Sequence, residues 1–161
     1  MIYSLWRIAV ETPTFTADDL SGKGAETSGG RWNAKGTPMV YAATSISLAA
    51  LETIVHFNAA SLPLNRYLVQ IDVPDDVWGR AFRMEPNAHV GWDALPAGKT
   101  SIDWGTAWIA GGACALAFVP SVIAPEELNC LINPLHADVA RLKATKRRRW
   151  IYDARLRAVV G

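Results

Sequence analysis

The sequence predicts an α+β fold in a single domain spanning residues 1–161. Three observations predict it. A chain of 161 residues is long enough to bury a core and short enough to build only one. Half of its residues are apolar and 19% are charged, the balance of a globular chain. Strand-like and helix-like stretches alternate without the regular βαβ rhythm of a parallel sheet, so mixed and antiparallel sheets with a few short helices are expected.

The elements follow in order. Tyr3 to Val10 reads as a first strand, interrupted by the charge of Arg7. Glu11 to Ser28 reads as a loop with one helical turn near Ala17 to Leu20. Gly29 and Gly30 permit a sharp turn or a close approach to a ligand. Lys35-Gly36-Thr37-Pro38 turns the chain into a short buried strand, Met39 to Ala42. Thr44 or Ser45 can cap the next helix, on which Leu48, Leu51, Ile54 and Val55 share one arc and Glu52 sits at its shoulder. Asn58 to Asn65 is a linker. Arg66 to Val73 alternates well for a strand, and Pro74-Asp75-Asp76 turns the chain.

Val77 to Lys99 carries little pattern beyond a short strand at Arg80 to Met84. Ser101 to Ala110 is helical, with Gly111-Gly112 to end it. Cys114 to Val119 and Cys130 to Ile132 are strands, with a turn at Pro125 to Leu128 between them. Asp138 to Lys143 is a short helix, Lys146 to Arg149 a basic run, and Trp150 to Tyr152 a last strand.

Composition excludes several classes. The net charge of +1 gives no global case for nucleic-acid or membrane binding. No apolar run reaches transmembrane length, and the N-terminus lacks the pattern of a signal peptide. Two cysteines build no disulfide framework and fit a reduced, cytoplasmic setting. The three histidines are scattered, and neither CxxC nor HExxH spacing occurs, so no metal site is expected. Phosphate-binding glycine motifs and a GxSxG elbow are missing too.

What remains is the stretch from Gly29 to His56, GGRWNAKGTPMVYAATSISLAALETIVH. Arg31 offers a planar fork of donors suited to phosphate or ribose oxygens. Tyr41 offers a flat wall. Glu52 is a carboxylate beside an apolar stripe, which is costly without partners. Together they read as half of a nucleotide site. Ser121, after Pro120 at a strand end, can face the same cleft, and Arg7 can point into a polar pocket. Lys146 to Trp150 (KRRRW) is the one stretch suited to nucleic acid.

The motifs GGRWN, VYAA, LAALE, FVPS and LINPLH, in this order, resemble the RES-domain family, the toxins of bacterial Xre/RES-type toxin–antitoxin pairs. The resemblance spans nearly the whole chain, from Trp6-Arg7 to Tyr152-Asp153-Ala154-Arg155-Leu156, and is weak only between Val77 and Thr100. Ala34 and Ala137 stand where proline is common in the family. The resemblance implies an ADP-ribosyltransferase-like fold and the growth arrest of a type II toxin–antitoxin system. It implies consumption of NAD+ as substrate, with ADP-ribose passed to a cellular protein (mono-ADP-ribosyltransferase) or to water (NAD+ glycohydrolase).

It further implies that Glu52, Arg31 and Ser121 are catalytic and that Arg7, Arg31, Tyr41 and Ser121 bind NAD+. The partner implied is an antitoxin with a helix-turn-helix domain. A non-catalytic module that binds a nucleotide or a nucleic acid is the competing expectation.

Overall fold

The computed structural model describes residues 1–57 and 61–156. Its centre is one seven-stranded sheet. The strands are β1 (Ile2–Val10), β2 (Val40–Ala43), β3 (Arg66–Pro74), β4 (Phe82–Arg83), β5 (Leu116–Pro120), β6 (Leu128–Ile132) and β7 (Lys143–Arg149). They lie in the order β4-β5-β6-β2-β1-β3-β7, and every neighbouring pair is antiparallel except β4 with β5. Four helices accompany them: α1 (Lys23–Ser28), α2 (Ile46–Ile54), α3 (Asp75–Gly79) and α4 (Lys99–Gly111). The architecture is α+β, as the irregular alternation of elements predicts.

Strand alternation sorts the core into two faces. Leu5, Val69, Ile71, Val73 and Phe118 face one way and are covered by Ala17, Val77 of α3 and Leu142. Ile8, Ala43 and Leu68 face the other way, under Leu48 and Ala49 of α2. Further along that second face, Ala117, Val119 and Leu131 pack with Trp32, Met39 and Ile109 of α4. Both longer helices thus share one face, and α2 carries Glu52 across it.

β1 pairs with β3 along its whole length, Ile2 opposite Pro74 through Val10 opposite Arg66. Against β2 it has a single register pair, Trp6 opposite Ala43. From that point toward Val10 the two strands diverge, and a cleft opens between them.

Several local expectations are corrected. The helical turn expected near Ala17 to Leu20 lies later, as α1, between two glycines of positive φ, Gly22 and Gly29. Pro74-Asp75-Asp76 does not turn the chain but starts α3, with Pro74 as its N-cap and two acids in its first turn. Residues 137–141 form a 3₁₀ turn. The basic run is itself the strand β7, and Trp150 to Tyr152 is not a strand: both aromatics pack instead into the cluster under α2. Part of the expected linker, residues 58–60, lies outside the described residues.

Candidate active site

Glu52 is placed by its helix. Ser45, one of the two expected caps, starts α2 by accepting the Leu48 N–H at 3.1 Å. The buried stripe is narrower than the apolar arc suggests. Leu48 and Ala49 are buried, whereas Leu51 is 37% and Val55 57% exposed. Glu52, one turn after Leu48, therefore lies over the sheet at the margin of the core.

Two donors hold its carboxylate. Ser121 Oγ donates to Glu52 Oε1 at 2.6 Å, and Asn129 Nδ2 donates to the same oxygen at 2.7 Å. Ser121 follows β5 and is fully buried; Asn129 sits on β6 opposite Ala43 and Val119. A carboxylate is an acceptor only, so the Asn129 amide must present its NH₂ side. Oε2 takes no partner among the described residues. Asn129 is the functional candidate that sequence reasoning missed. Its signal is a polar residue on the covered face of an otherwise apolar strand, LNCLI.

Arg7 and Tyr41 line the cleft between β1 and β2, with Ala9, Val10 and Met39. The far wall comes from residues 12–25, including Phe15, Asp19 and Lys23. The Nε of Arg7 is sequestered from solvent and has no hydrogen-bond partner among the described residues. Burial pulls this guanidinium below its ordinary pKa, and the Asp19 carboxylate offsets part of that pull. A half-buried cation so poorly matched by its surroundings is a ready partner for an anion.

The hydroxyl of Tyr41 is fully engaged. It accepts the Trp32 N–H at 3.0 Å and donates to Asn33 Oδ1 at 2.5 Å. Burial pushes the phenol pKa up, opposed by the Trp32 N–H and the Arg31 charge. Asn33, itself buried, spends its amide on the carbonyls of Ala25 and Thr37. The GGRWN turn is thereby sewn to β2 through a phenol. Ala34 donates its N–H to Thr106 Oγ1 of α4 at 3.1 Å, a bond proline could not make.

Arg31 is not among the residues lining the Arg7–Tyr41 cleft. Its Nη1 donates to the carbonyls of Trp92 at 3.1 Å and Ala94 at 2.8 Å, which ties the poorly patterned 91–98 segment to the turn. Its other nitrogens make no bond among the described residues. The structure thus joins Glu52 directly to Ser121, sets Arg7 and Tyr41 around one cleft, and keeps Arg31 beside Tyr41 through the Trp32 backbone.

The basic run is committed elsewhere. Lys146 pairs with Glu11 at 3.0 Å, Arg149 donates to the Leu64 carbonyl, and Arg148 lies over the Trp150 ring at 4.7 Å. Among the described residues no helix is long and apolar enough to cross a membrane.

The chain is similar to known proteins over nearly its whole length. The family model of the RES domain matches residues 4–154. The Prs ADP-ribosylating toxin of Sphingobium sp. (strain YBL2) is 55% identical over 157 residues, which are 97% of this chain and 98% of that one. Toxin Res of Yersinia enterocolitica is 38% identical over 82% of this chain and 84% of its own. Toxin Res of Pseudomonas putida is 35% identical over 86% of this chain and 90% of its own. With the match running from β1 to the last 3₁₀ turn, the chain belongs to the RES domain family.

Proposed function

We propose that this protein is the toxin of a type II toxin–antitoxin pair, and that it cleaves the nicotinamide–ribose bond of NAD+. Its ADP-ribose then passes to a cellular protein. The observation that carries this reading is the Glu52 carboxylate, fixed by two donors on the sheet face that α2 covers.

The chemistry follows from the residues. Cleavage returns the bonding electrons to the pyridinium nitrogen, so nicotinamide leaves neutral and needs no general acid. A single essential carboxylate then suffices, unlike the pair in ordinary glycosidases. Positive charge grows on the ribose as the bond breaks. A carboxylate already fixed beside it stabilises that charge without reorganising. The acceptor's lone pair closes on C1′ and its proton is lost, which balances the transfer; with water as acceptor the same step is hydrolysis.

Arg7 supplies the match for the pyrophosphate, since it lines the cleft and its guanidinium makes no hydrogen bond among the described residues. The Tyr41 ring lines the cleft while its hydroxyl is occupied, which suits stacking against a flat ring. Arg31 keeps nitrogens free for a phosphate or ribose oxygen while its Nη1 holds the 92–94 backbone. A helix-turn-helix antitoxin that blocks this cleft, and a cytoplasmic site of action, complete the proposal. The relative at 55% identity is named for Prs, which makes Prs the first acceptor to test.

The test is labelled NAD+ with a bacterial lysate and protein freed of antitoxin. A labelled protein band is the expected result, and free ADP-ribose alone means hydrolysis. Glu52→Gln is expected to lower the rate by roughly 10²–10³ with the fold intact. Unchanged NAD+ levels with every lysate would leave only the non-catalytic binding module.

A further inference from the structure

The geometry points to Ser121 as a positioning residue that aims the Glu52 carboxylate, with Asn129 as the second donor, and to Oε2 as the oxygen that faces the reaction. This inference rests on the NAD+-cleaving reading above. It changes the role of Ser121, for which the family resemblance implies a bond to NAD+.

A serine hydroxyl has one proton and two lone pairs. All three are spent here. The proton goes to Glu52 Oε1 at 2.6 Å. The lone pairs accept the backbone N–H groups of Ile123 at 3.1 Å and Ala124 at 3.2 Å. The residue is 0% exposed. No valence and no surface remain for a ribose hydroxyl or a carboxamide.

The two backbone bonds also fix the direction of the proton. With both acceptor positions filled from the 123–124 turn, the O–H must point at the carboxylate. Asn129 reaches the same oxygen from β6, a separate element. Oε1 is thus held from two directions by groups that α2 does not carry, and the carboxylate cannot rotate without breaking both bonds. Oε2, free of partners among the described residues, is the oxygen left for substrate.

Kinetics with purified, antitoxin-free protein distinguish positioning from substrate contact. Ser121→Ala is expected to lower kcat by roughly 10- to 100-fold, the range for losing one hydrogen bond to a charged group, with KM for NAD+ nearly unchanged. Asn129→Ala removes the other donor without touching the 121–124 turn and is expected to give the same split. Ser121→Cys, which keeps a weak donor of similar size, is expected to recover part of kcat. A tenfold or larger rise in KM with kcat close to wild type, in either alanine variant, would overturn the inference.

A second readout does not depend on turnover. In a crystal structure of Ser121→Ala, the Glu52 side chain is expected to leave its position or spread over several rotamers. An unmoved carboxylate there would count equally against the inference. A wild type that consumes no NAD+ would instead defeat the enzymatic reading, while the crystal structure still decides whether Ser121 sets the carboxylate.

Discussion

At Gly30 the close approach that a glycine allows is made by a phenol. A Cβ there would stand 2.7 Å from Tyr41 Oη and 2.9 Å from Asn33 Oδ1. Gly30→Ala is therefore expected to displace Tyr41 and weaken the bonds on which the GGRWN turn depends. Tyr41→Phe tests the same device from the other side. It leaves the Trp32 N–H and Asn33 Oδ1 without their partner, at a cost of roughly 1–3 kcal/mol for each buried group left unpaired. A fall in melting temperature is expected, with the ring still lining the cleft. The types of these residues are legible in the sequence, since glycine, arginine and tyrosine there announce a turn and a site. Their partners are not. That the phenol would serve the turn depends on how the chain doubles back between Trp32 and Tyr41, and that Arg31 would hold carbonyls at 92 and 94 depends on a segment far away in sequence. Asn129 escaped for the same reason, because a lone amide in a strand says nothing about the helix that crosses it.

Among the elements, α4 owes its position to a residue it lacks a side chain for. A Cβ on Gly105 would lie 1.8 Å from the Trp32 carbonyl oxygen. Gly105→Ala gains about 1 kcal/mol in helix propensity, yet it must push α4 away from the GGRWN turn. The expected outcome is a large loss of stability, seen as a lowered melting temperature or poor soluble yield. The helix itself was legible from its pattern and from Gly112, whose positive φ ends it. The close contact was not.

A different failure affects β7. Its run of arginines shows no alternation because an edge strand need bury little, and Lys and Arg suit an exposed edge. The neighbouring 3₁₀ turn makes a pH prediction. Arg141 and Arg80 hold the carboxylates of Asp76 and Asp138 below the usual range. A carboxylate with a lowered folded pKa stabilises above its unfolded value and loses that contribution as pH falls through its folded one. Arg141→Ala is expected to lower the melting temperature near neutral pH and to converge with wild type in strong acid.

On the scale of the whole molecule, the class of fold was readable because apolar content and irregular element order need no partner to interpret. The strand order was not, since pairing is set by contacts across the chain. Both cysteines are buried, and burial pushes the Cys130 thiol well above its ordinary pKa. Neither is expected to react with a thiol reagent until the protein unfolds, when two equivalents react. The single register pair between β1 and β2 has a wider consequence. It divides the sheet into a four-stranded block, β4-β5-β6-β2, and a three-stranded block, β1-β3-β7, joined by very little backbone. Arg7 belongs to the smaller block, while Tyr41, Asn129 and Ser121 lie on or directly after strands of the larger. A dinucleotide gripping both would act as a rivet across an otherwise loose joint. Amides of β1 and β2 facing that joint should exchange with deuterium faster than those between β1 and β3, and slow sharply once NAD+ is bound to the Glu52→Gln protein.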